Sequence, residues 1–353
     1  MTIEIPISLD CIIFGLQQFG GVSNYWAKIV EYVSSDPELS GSLVLPRQMK
    51  YRDFDDAWIQ RMPVKREVLH PQVSRYLNAH NIYAPNAVFH TPYYRLPQQF
   101  VKKYVVTVHD FTYERYIKGL ARIVHTKQKV ASIRRADAVL CVSESTRRDV
   151  IEFCPDIDAS KLHVTHLGVD CHTFYQDPVN TSAINDQTVL FVGQRVRYKR
   201  FDLAIEAVRE SPRLILGVVG NNLTDEERIL LRGRLGSRWR EFGPISNCDL
   251  RRLYSSAFAF IYPSDYEGFG LPILEAMACG CPVVAASLSS LPEVGGAAAH
   301  YAERQSSESY AKLLCSLESA ELRNESVRRG LKRVAEFDWL LTLQKTKAVY
   351  LNQ

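Results

Sequence analysis

Tyr266-Glu267-Gly268-Phe269-Gly270-Leu271-Pro272-Ile273-Leu274-Glu275-Ala276 sets two carboxylates, a glycine turn and a helix start side by side. The apolar run Ala257–Pro263 before it reads as a buried parallel strand, and Leu274–Ala278 reads as the body of a helix. Gly268 and Gly270 allow the backbone to approach a ligand, and Pro272 suits the first helical turn, where a missing N–H costs nothing. The helix therefore opens with amide donors at Phe269, Gly270 and Leu271 and a positive dipole end, which together form an anion site. Glu267 and Glu275 flank that site. A carboxylate at each end with donors between suits a diphosphate bearing hydroxyl-rich groups on both sides, as in a nucleotide sugar. Taken alone, the same residues also fit a plain strand–loop–helix turn with two solvated glutamates.

At 353 residues the chain exceeds one ordinary core and fits two domains of about 170 residues each. It is 46% hydrophobic and 23% charged, a globular composition, and its net charge of +4 gives no case for nucleic acid. The eight cysteines include Cys279 and Cys281 as a C-x-C but no C-x-x-C, so neither a zinc site nor a disulfide framework is indicated and a reducing cytosol is expected. No apolar run approaches the roughly 18 residues that span a bilayer. The expectation is a cytoplasmic protein whose only membrane contact would be peripheral, on the inner face of the membrane.

Short apolar runs alternate with helical patterns along the chain, which predicts an α/β fold of parallel sheets covered on both faces. The predicted strands of the first half are Ile7–Phe14, Ser42–Leu45, Val88–His90, Tyr104–His109, Ala138–Val142 and His163–Leu167. Those of the second half are Thr188–Val192, Leu214–Val219, Ala257–Tyr262 and Pro282–Ala286. The polar passage Gly168–Thr181 reads as a linker, which puts the boundary near residue 172. Two doubly wound, Rossmann-like domains, 1–172 and 173–337, would face each other across a cleft and bind ligand at the carboxyl ends of their strands.

After the strand Thr188–Val192 comes Gly193-Gln194-Arg195-Val196-Arg197-Tyr198-Lys199-Arg200-Phe201, a glycine turn with four basic residues ahead of an amphipathic helix. Cations so placed can hold phosphate, arginine as a fork and lysine as a point charge, although a solvated basic turn would have the same composition. Gln18–Tyr25, with Gly20 and Gly21, follows the first strand but is not a G-x-G-x-x-G fingerprint, which disfavours a dinucleotide dehydrogenase. Thr107-Val108-His109-Asp110 ends another strand where a side chain can enter the cleft or simply pack. Ser143 or Ser145 is placed to cap the next helix.

These pieces together resemble the retaining glycosyltransferases of family 4, over most of the chain and least over residues 46 to 86. Glu267 and Glu275 match the E-x7-E motif, so the resemblance implies that Glu267 contacts the donor sugar and Glu275 the ribose. Arg195 and Lys199 match the Arg/Lys pair in the variant with Arg two residues after the glycine. His109 matches a histidine beside the donor sugar, with Asp110 as its orienting neighbour, and Gly21 matches the glycine turn at the first helix. Phe89–Tyr94 and Tyr198–Phe201 are similar to phrases of bacterial mannosyltransferase-like members that build lipopolysaccharide O-chains. The resemblance implies the GT-B fold, with a last helix at about 338–353 packing back on the N-terminal domain.

The implied activity is transfer of a sugar, GDP-mannose type favoured, to a glycan or lipid-linked acceptor with retention at the anomeric carbon. Arg195, Lys199 and the amides of Phe269, Gly270 and Leu271 would stabilise the leaving diphosphate, so no metal or other cofactor is expected. Asp156-Ile157-Asp158 spells the D-x-D of metal-dependent transferases but follows Pro155 in a loop, and reads as a helix-end turn. A UDP-sugar donor, or an epimerase or phosphorylase on the same frame, are the competing readings, with a binding protein that lost turnover as another class. The base would be read by backbone groups in loops such as Val219–Asn222 and Gly243–Ile245. The stretch Arg115–Arg135 holds seven Lys or Arg and no acid. It is either a solvated helix face or a surface for anionic headgroups, and in the second case charge reversal at Lys127, Lys129 and Arg134 would weaken vesicle binding.

Overall fold

The computed structural model describes residues 4–18, 20–80, 86–176 and 187–352. It divides into two compact units, one formed by the chain up to Leu167 together with the segment from Trp339 onward, the other by Gly168–Asp338. The sequence places these junctions near 172 and 338. Part of the expected linker, 177–181, lies outside the described residues, as does Phe19 of the first glycine turn.

The first unit carries a seven-stranded parallel sheet in the order β3-β2-β1-β4-β5-β6-β7. Its strands are β1 Ile5–Asp10, β2 Leu39–Leu45, β3 Val64–Arg66, β4 Val88–Thr91, β5 Lys103–Val108, β6 Ala138–Cys141 and β7 Leu162–Val164. β1 stops at Asp10 and Ile13–Leu16 forms a helical turn, so the expected strand Ile7–Phe14 is too long. The apolar residues Ile12, Ile13 and Phe14 are fully buried in either conformation, which is why the pattern could not tell them apart. The helix Gly21–Ser35 buries Tyr25, Trp26, Ile29, Val30 and Val33, a stripe with helical spacing.

The last helix, Trp339–Leu351, belongs to this unit. Tyr350 Oη lies 2.6 Å from His90 Nδ1, Lys103 Nζ donates to the Val349 carbonyl at 2.6 Å, and Lys347 pairs with Asp36 at 2.7 Å.

The second unit holds a six-stranded parallel sheet ordered β10-β9-β8-β11-β12-β13. These are β8 Thr188–Val192, β9 Ile215–Val219, β10 Trp239–Gly243, β11 Ala259–Tyr262, β12 Val283–Ala286 and β13 His300–Ala302. Val189, Phe191, Leu216, Val218, Ala259 and Ile261 pack with Phe201, Ala204, Ile205 and Val208 of the helix Phe201–Arg209 into one apolar core. Where β8 and β9 end, the backbones close tightly: the Gly193 amide donates to the Val219 carbonyl at 3.0 Å. A Cβ at Gly220, whose φ is +139°, would come within 2.5 Å of the Gly193 oxygen. Only glycine fits there.

Candidate active site

The helix Leu271–Ala278 starts at Gly270, whose φ of +109° turns the chain into the helix, and no side chain caps it. Among the described residues the Gly270 and Leu271 amides have no hydrogen-bond partner. The loop before it is held by two serines the sequence reading did not single out. Ser289 Oγ accepts from the Glu267 amide at 2.9 Å, while Ser290 Oγ lies 2.9 Å from the Glu267 carbonyl and 2.6 Å from the Phe269 carbonyl. Ser290 is fully buried, so this is a fixed support. Both serines follow β12, and a small-residue loop after a parallel strand is the only hint the sequence carries of them.

Lys199 Nζ stands 2.5 Å from Glu267 Oε1 and donates to Tyr262 Oη at 3.2 Å. The two charged side chains are 16% and 12% exposed, accessible to a ligand yet well shielded. Lys199 ends the short 3-10 turn Arg197–Lys199. That turn is tied to the loop before Glu267, because the Asp265 amide donates to the Tyr198 carbonyl at 2.7 Å.

Arg195 points elsewhere. Its Nε donates to Glu227 at 2.7 Å and its two terminal nitrogens donate to the Asn221 and Asn222 carbonyls, each at 2.9 Å. Glu227 also completes a capping box with Thr224 at the start of the helix Asp225–Leu235. Arg195 thus spends three of its five N–H donors inside the protein, on the loop expected to read the base.

Glu275 lies one turn into its helix and is partly exposed. Among the described residues its carboxylate has no hydrogen-bond partner, and burial pushes its pKa up to about 7. An ionised carboxylate in that position has no protein donor among the described residues, and ligand hydroxyls could supply one. Gly268 and Phe269 sit in the serine-held loop, with Phe269 buried and its ring 5.9 Å from that of Phe337.

His109 and Gly21 belong to the first unit. His109 follows β5, its ring edge-on to Tyr25 at 5.1 Å. Its Nε2 is buried with no partner among the described residues. Burial pushes its pKa down to about 4, with Asp110 raising and Lys129 lowering it, so the imidazole is neutral near pH 7. Asp110 accepts from the Thr112 amide at 2.9 Å and so caps the following turn. A Cβ at Gly21 would meet no protein atom within 4 Å, so nothing in the chain's own packing demands glycine there.

Ser143 caps the helix Glu144–Phe153, accepting from the Thr146 amide at 2.9 Å. Asp156 pairs with Arg134 at 2.9 Å and Asp158 caps a 3-10 turn through the Ser160 amide, so the D-x-D spelling serves a turn. The basic run divides. Lys129 is fully buried, 2.7 Å from Glu114 and 2.8 Å from the Asp110 carbonyl. Arg115 pairs with Asp149 and Glu152. Lys129 is therefore a core residue, which corrects its expected place on a solvated or anion-binding helix face, and charge reversal there would strike the core; Arg134 is half exposed and paired with Asp156. Lys118, Arg122 and Lys127 remain exposed, beside Leu120, which is 80% exposed.

Residues 176–333 match the family Glycosyl transferases group 1, and residues 49–173 match Glycosyltransferase Family 4. The chain thus carries a Glycosyltransferase Family 4 domain followed by a Glycosyl transferases group 1 domain, which places it among the glycosyltransferases. It is 29% identical to the O-antigen chain mannosyltransferase B of Escherichia coli over 80% of its own length and 79% of that protein. Its fold is similar to that of sucrose-phosphate synthase from Thermosynechococcus elongatus, with a TM-score of 0.80, 19% identity and 98% of both chains covered. It is also similar to Anabaena HepE in complex with UDP and glucose, with a TM-score of 0.71, 16% identity, and 98% and 99% of the two chains covered. This glycosyltransferase therefore has the two-domain GT-B fold expected of its sequence.

Proposed function

We propose that this glycosyltransferase moves a sugar, mannose from GDP-mannose favoured, to a hydroxyl of a glycan or lipid-linked acceptor in surface-polysaccharide synthesis. The observation that carries the proposal is the pairing of Lys199 with Glu267 beside a helix start that leads to a second carboxylate with no protein donor among the described residues. The likeness to the Escherichia coli mannosyltransferase supports the choice of sugar.

In this reading Glu275 accepts from the ribose hydroxyls and Glu267 from the sugar hydroxyls. Lys199 and the Gly270 and Leu271 amides hold the diphosphate. The bond from the anomeric carbon to the phosphate oxygen breaks, its electron pair stays on the diphosphate, and positive charge at Lys199 and the helix start stabilises it. The acceptor oxygen bonds to the same face of the carbon, and its proton passes to the leaving phosphate. The neutral, buried His109 lends its unpartnered ring nitrogen to the donor sugar. Arg195 positions the base-reading loop. Because protein groups supply the positive charge, turnover needs no metal.

Among the described residues no helix is long and apolar enough to cross a membrane. Peripheral contact through Lys118, Arg122 and Lys127 with the exposed Leu120 fits a lipid-linked acceptor. The test is calorimetric titration of GDP and of UDP in chelator, with Glu275→Ala as control. Tight binding of GDP alone supports the mannose-type donor, UDP alone moves the donor to a UDP-sugar, and binding of neither by folded protein refutes the site.

A further inference from the structure

Arg75 follows the short helix Pro71–Ser74, within the stretch where the resemblance to the family is weakest. Its guanidinium carbon sits 4.7 Å from the centre of the Tyr93 ring and 5.1 Å from that of Tyr76. Among the described residues no carboxylate lies within ion-pair distance of it, and its Nε is buried without a partner. By contrast Arg95, whose side chain is fully buried, is braced by both Asp10 at 2.9 Å and Glu67 at 2.7 Å. A second orphan is tied to the backbone of the same residue: Gln128 Nε2 donates to the Arg75 carbonyl at 2.6 Å, which fixes the amide, while Gln128 Oε1 is buried with no donor among the described residues.

The surroundings are aromatic and lie at the carboxyl ends of β4 and β5, where open α/β sheets take their ligands. Tyr93 comes two residues after β4 and packs edge-on to His125 at 6.2 Å, and His125 in turn stacks on Tyr113 at 4.1 Å. A cation without an anion, an acceptor without a donor and tyrosine faces match a phosphate attached to a sugar. The cation takes the phosphate, the amide oxygen takes a hydroxyl, and the rings take the apolar face of the sugar. Val68, Val73 and Tyr76, which are 74%, 52% and 50% exposed, provide an apolar flank for a chain attached to that phosphate.

We propose that Arg75, with Tyr76, Tyr93 and Gln128, is the acceptor subsite and holds the phosphate of a phosphate-linked sugar. The proposal rests on the transferase reading only in calling the bound molecule an acceptor. The site itself lies wholly in the first unit, apart from the residues assigned to the nucleotide.

The test uses the full chain, first saturated with whichever of GDP or UDP it binds, so that phosphate sites of the second unit are filled. Glucose 1-phosphate is titrated calorimetrically, and sedimentation is followed with vesicles of phosphatidylglycerol in phosphatidylcholine, for wild type, Arg75→Gln and Arg75→Lys. Arg75→Gln should weaken glucose 1-phosphate by about tenfold or more, the scale of a lost charge-assisted contact. Arg75→Lys, which keeps the charge but not the stacking, should fall between, with nucleotide affinity and melting temperature unchanged in both. A loss confined to vesicles would assign the phosphate to a lipid headgroup, and a loss confined to glucose 1-phosphate to a sugar phosphate. Wild type that binds neither probe, or variants that bind both as wild type does, overturn the proposal. Failure of nucleotide binding with the Arg75 effect intact strikes the transferase reading instead.

Discussion

In a Glu275→Gln variant the partly buried carboxylate becomes a neutral amide. Moving a carboxyl from its ordinary 4.5 up to about 7 corresponds to about 3 kcal/mol of preference for the protonated form. Because the folded value lies above the unfolded one, the stability gained from protonation is fully present below pH 4.5. It is lost as the pH rises through about 7. The glutamine variant has no such group. Its amide leaves unpaired groups of its own, at a cost that does not change with pH. The difference in stability between variant and wild type should therefore move in the variant's favour between pH 4.5 and 8. For a unit of this size that is up to about 10 °C in the melting temperature.

Scanning calorimetry of both proteins at several pH values, without nucleotide, gives the answer. A difference that stays flat from pH 4.5 to 8, or moves in the wild type's favour, refutes the account of Glu275 as an acid whose partial burial raises its pKa. Nucleotide should reverse the preference. Hydroxyls donating to the ionised carboxylate supply the missing partners, so wild-type affinity should rise with pH up to about 7 and the variant should bind at least about tenfold more weakly at pH 8.

Lys199→Met should lower kcat by about 100-fold or more, the scale of losing one group that stabilises developing charge, and should also lower the melting temperature, because it leaves the shielded Glu267 without its cation; a kcat unchanged in steady-state assays of the folded variant would remove Lys199 from the mechanism. His109→Phe should keep the ring contact with Tyr25 and the fold but lose turnover, and the wild-type pH–rate profile should show no limb from this residue between pH 5 and 7, since its pKa is about 4. Lys129→Glu should fail to fold or melt far below wild type, because it sets two buried acids, Glu114 and the new one, against each other. Reversal of charge at Lys118, Arg122 and Lys127 should leave melting intact and weaken sedimentation with anionic vesicles, and unaltered sedimentation would end the membrane reading.

The central strands of both sheets were legible because burial on two faces demands unbroken apolar runs, as in Tyr104–Val108 and Thr188–Val192. The three strands that were missed, β3, β10 and β13, all lie at sheet edges or in the outermost position of the order. There one side is open and residues such as Lys65, Arg240 and His300 interrupt the pattern. The acidic motif could be read because glycine, proline and two glutamates at fixed spacing have few other uses together. The supports could not: Ser289 and Ser290 act through hydroxyls on a loop distant in sequence, and serine is common in any loop. Lys129 reads as part of a charged face because its partner, Glu114, lies one residue outside the basic run Arg115–Arg135.

The glycine turn after β8 shows why composition overstated its cationic character. Arg195 and Lys199 leave the same short segment in two directions, one toward Glu227 and the Asn221–Asn222 carbonyls, the other toward Glu267. What separates them is the 3-10 turn Arg197–Lys199, closed by Arg200 in the left-handed region at φ +52°. That strained residue is held by Asp202 at 3.0 Å and, at 3.4 Å, by Asp265, which also anchors the Tyr198 carbonyl. Two acids, placed just after the turn and just before the acidic motif, therefore fix the backbone from which Lys199 reaches Glu267. Arg200 and Asp265 touch neither glutamate of the motif, yet releasing them would free the backbone that sets the Lys199–Glu267 pair, a geometry that the proposed diphosphate contact would need to within a fraction of an ångström.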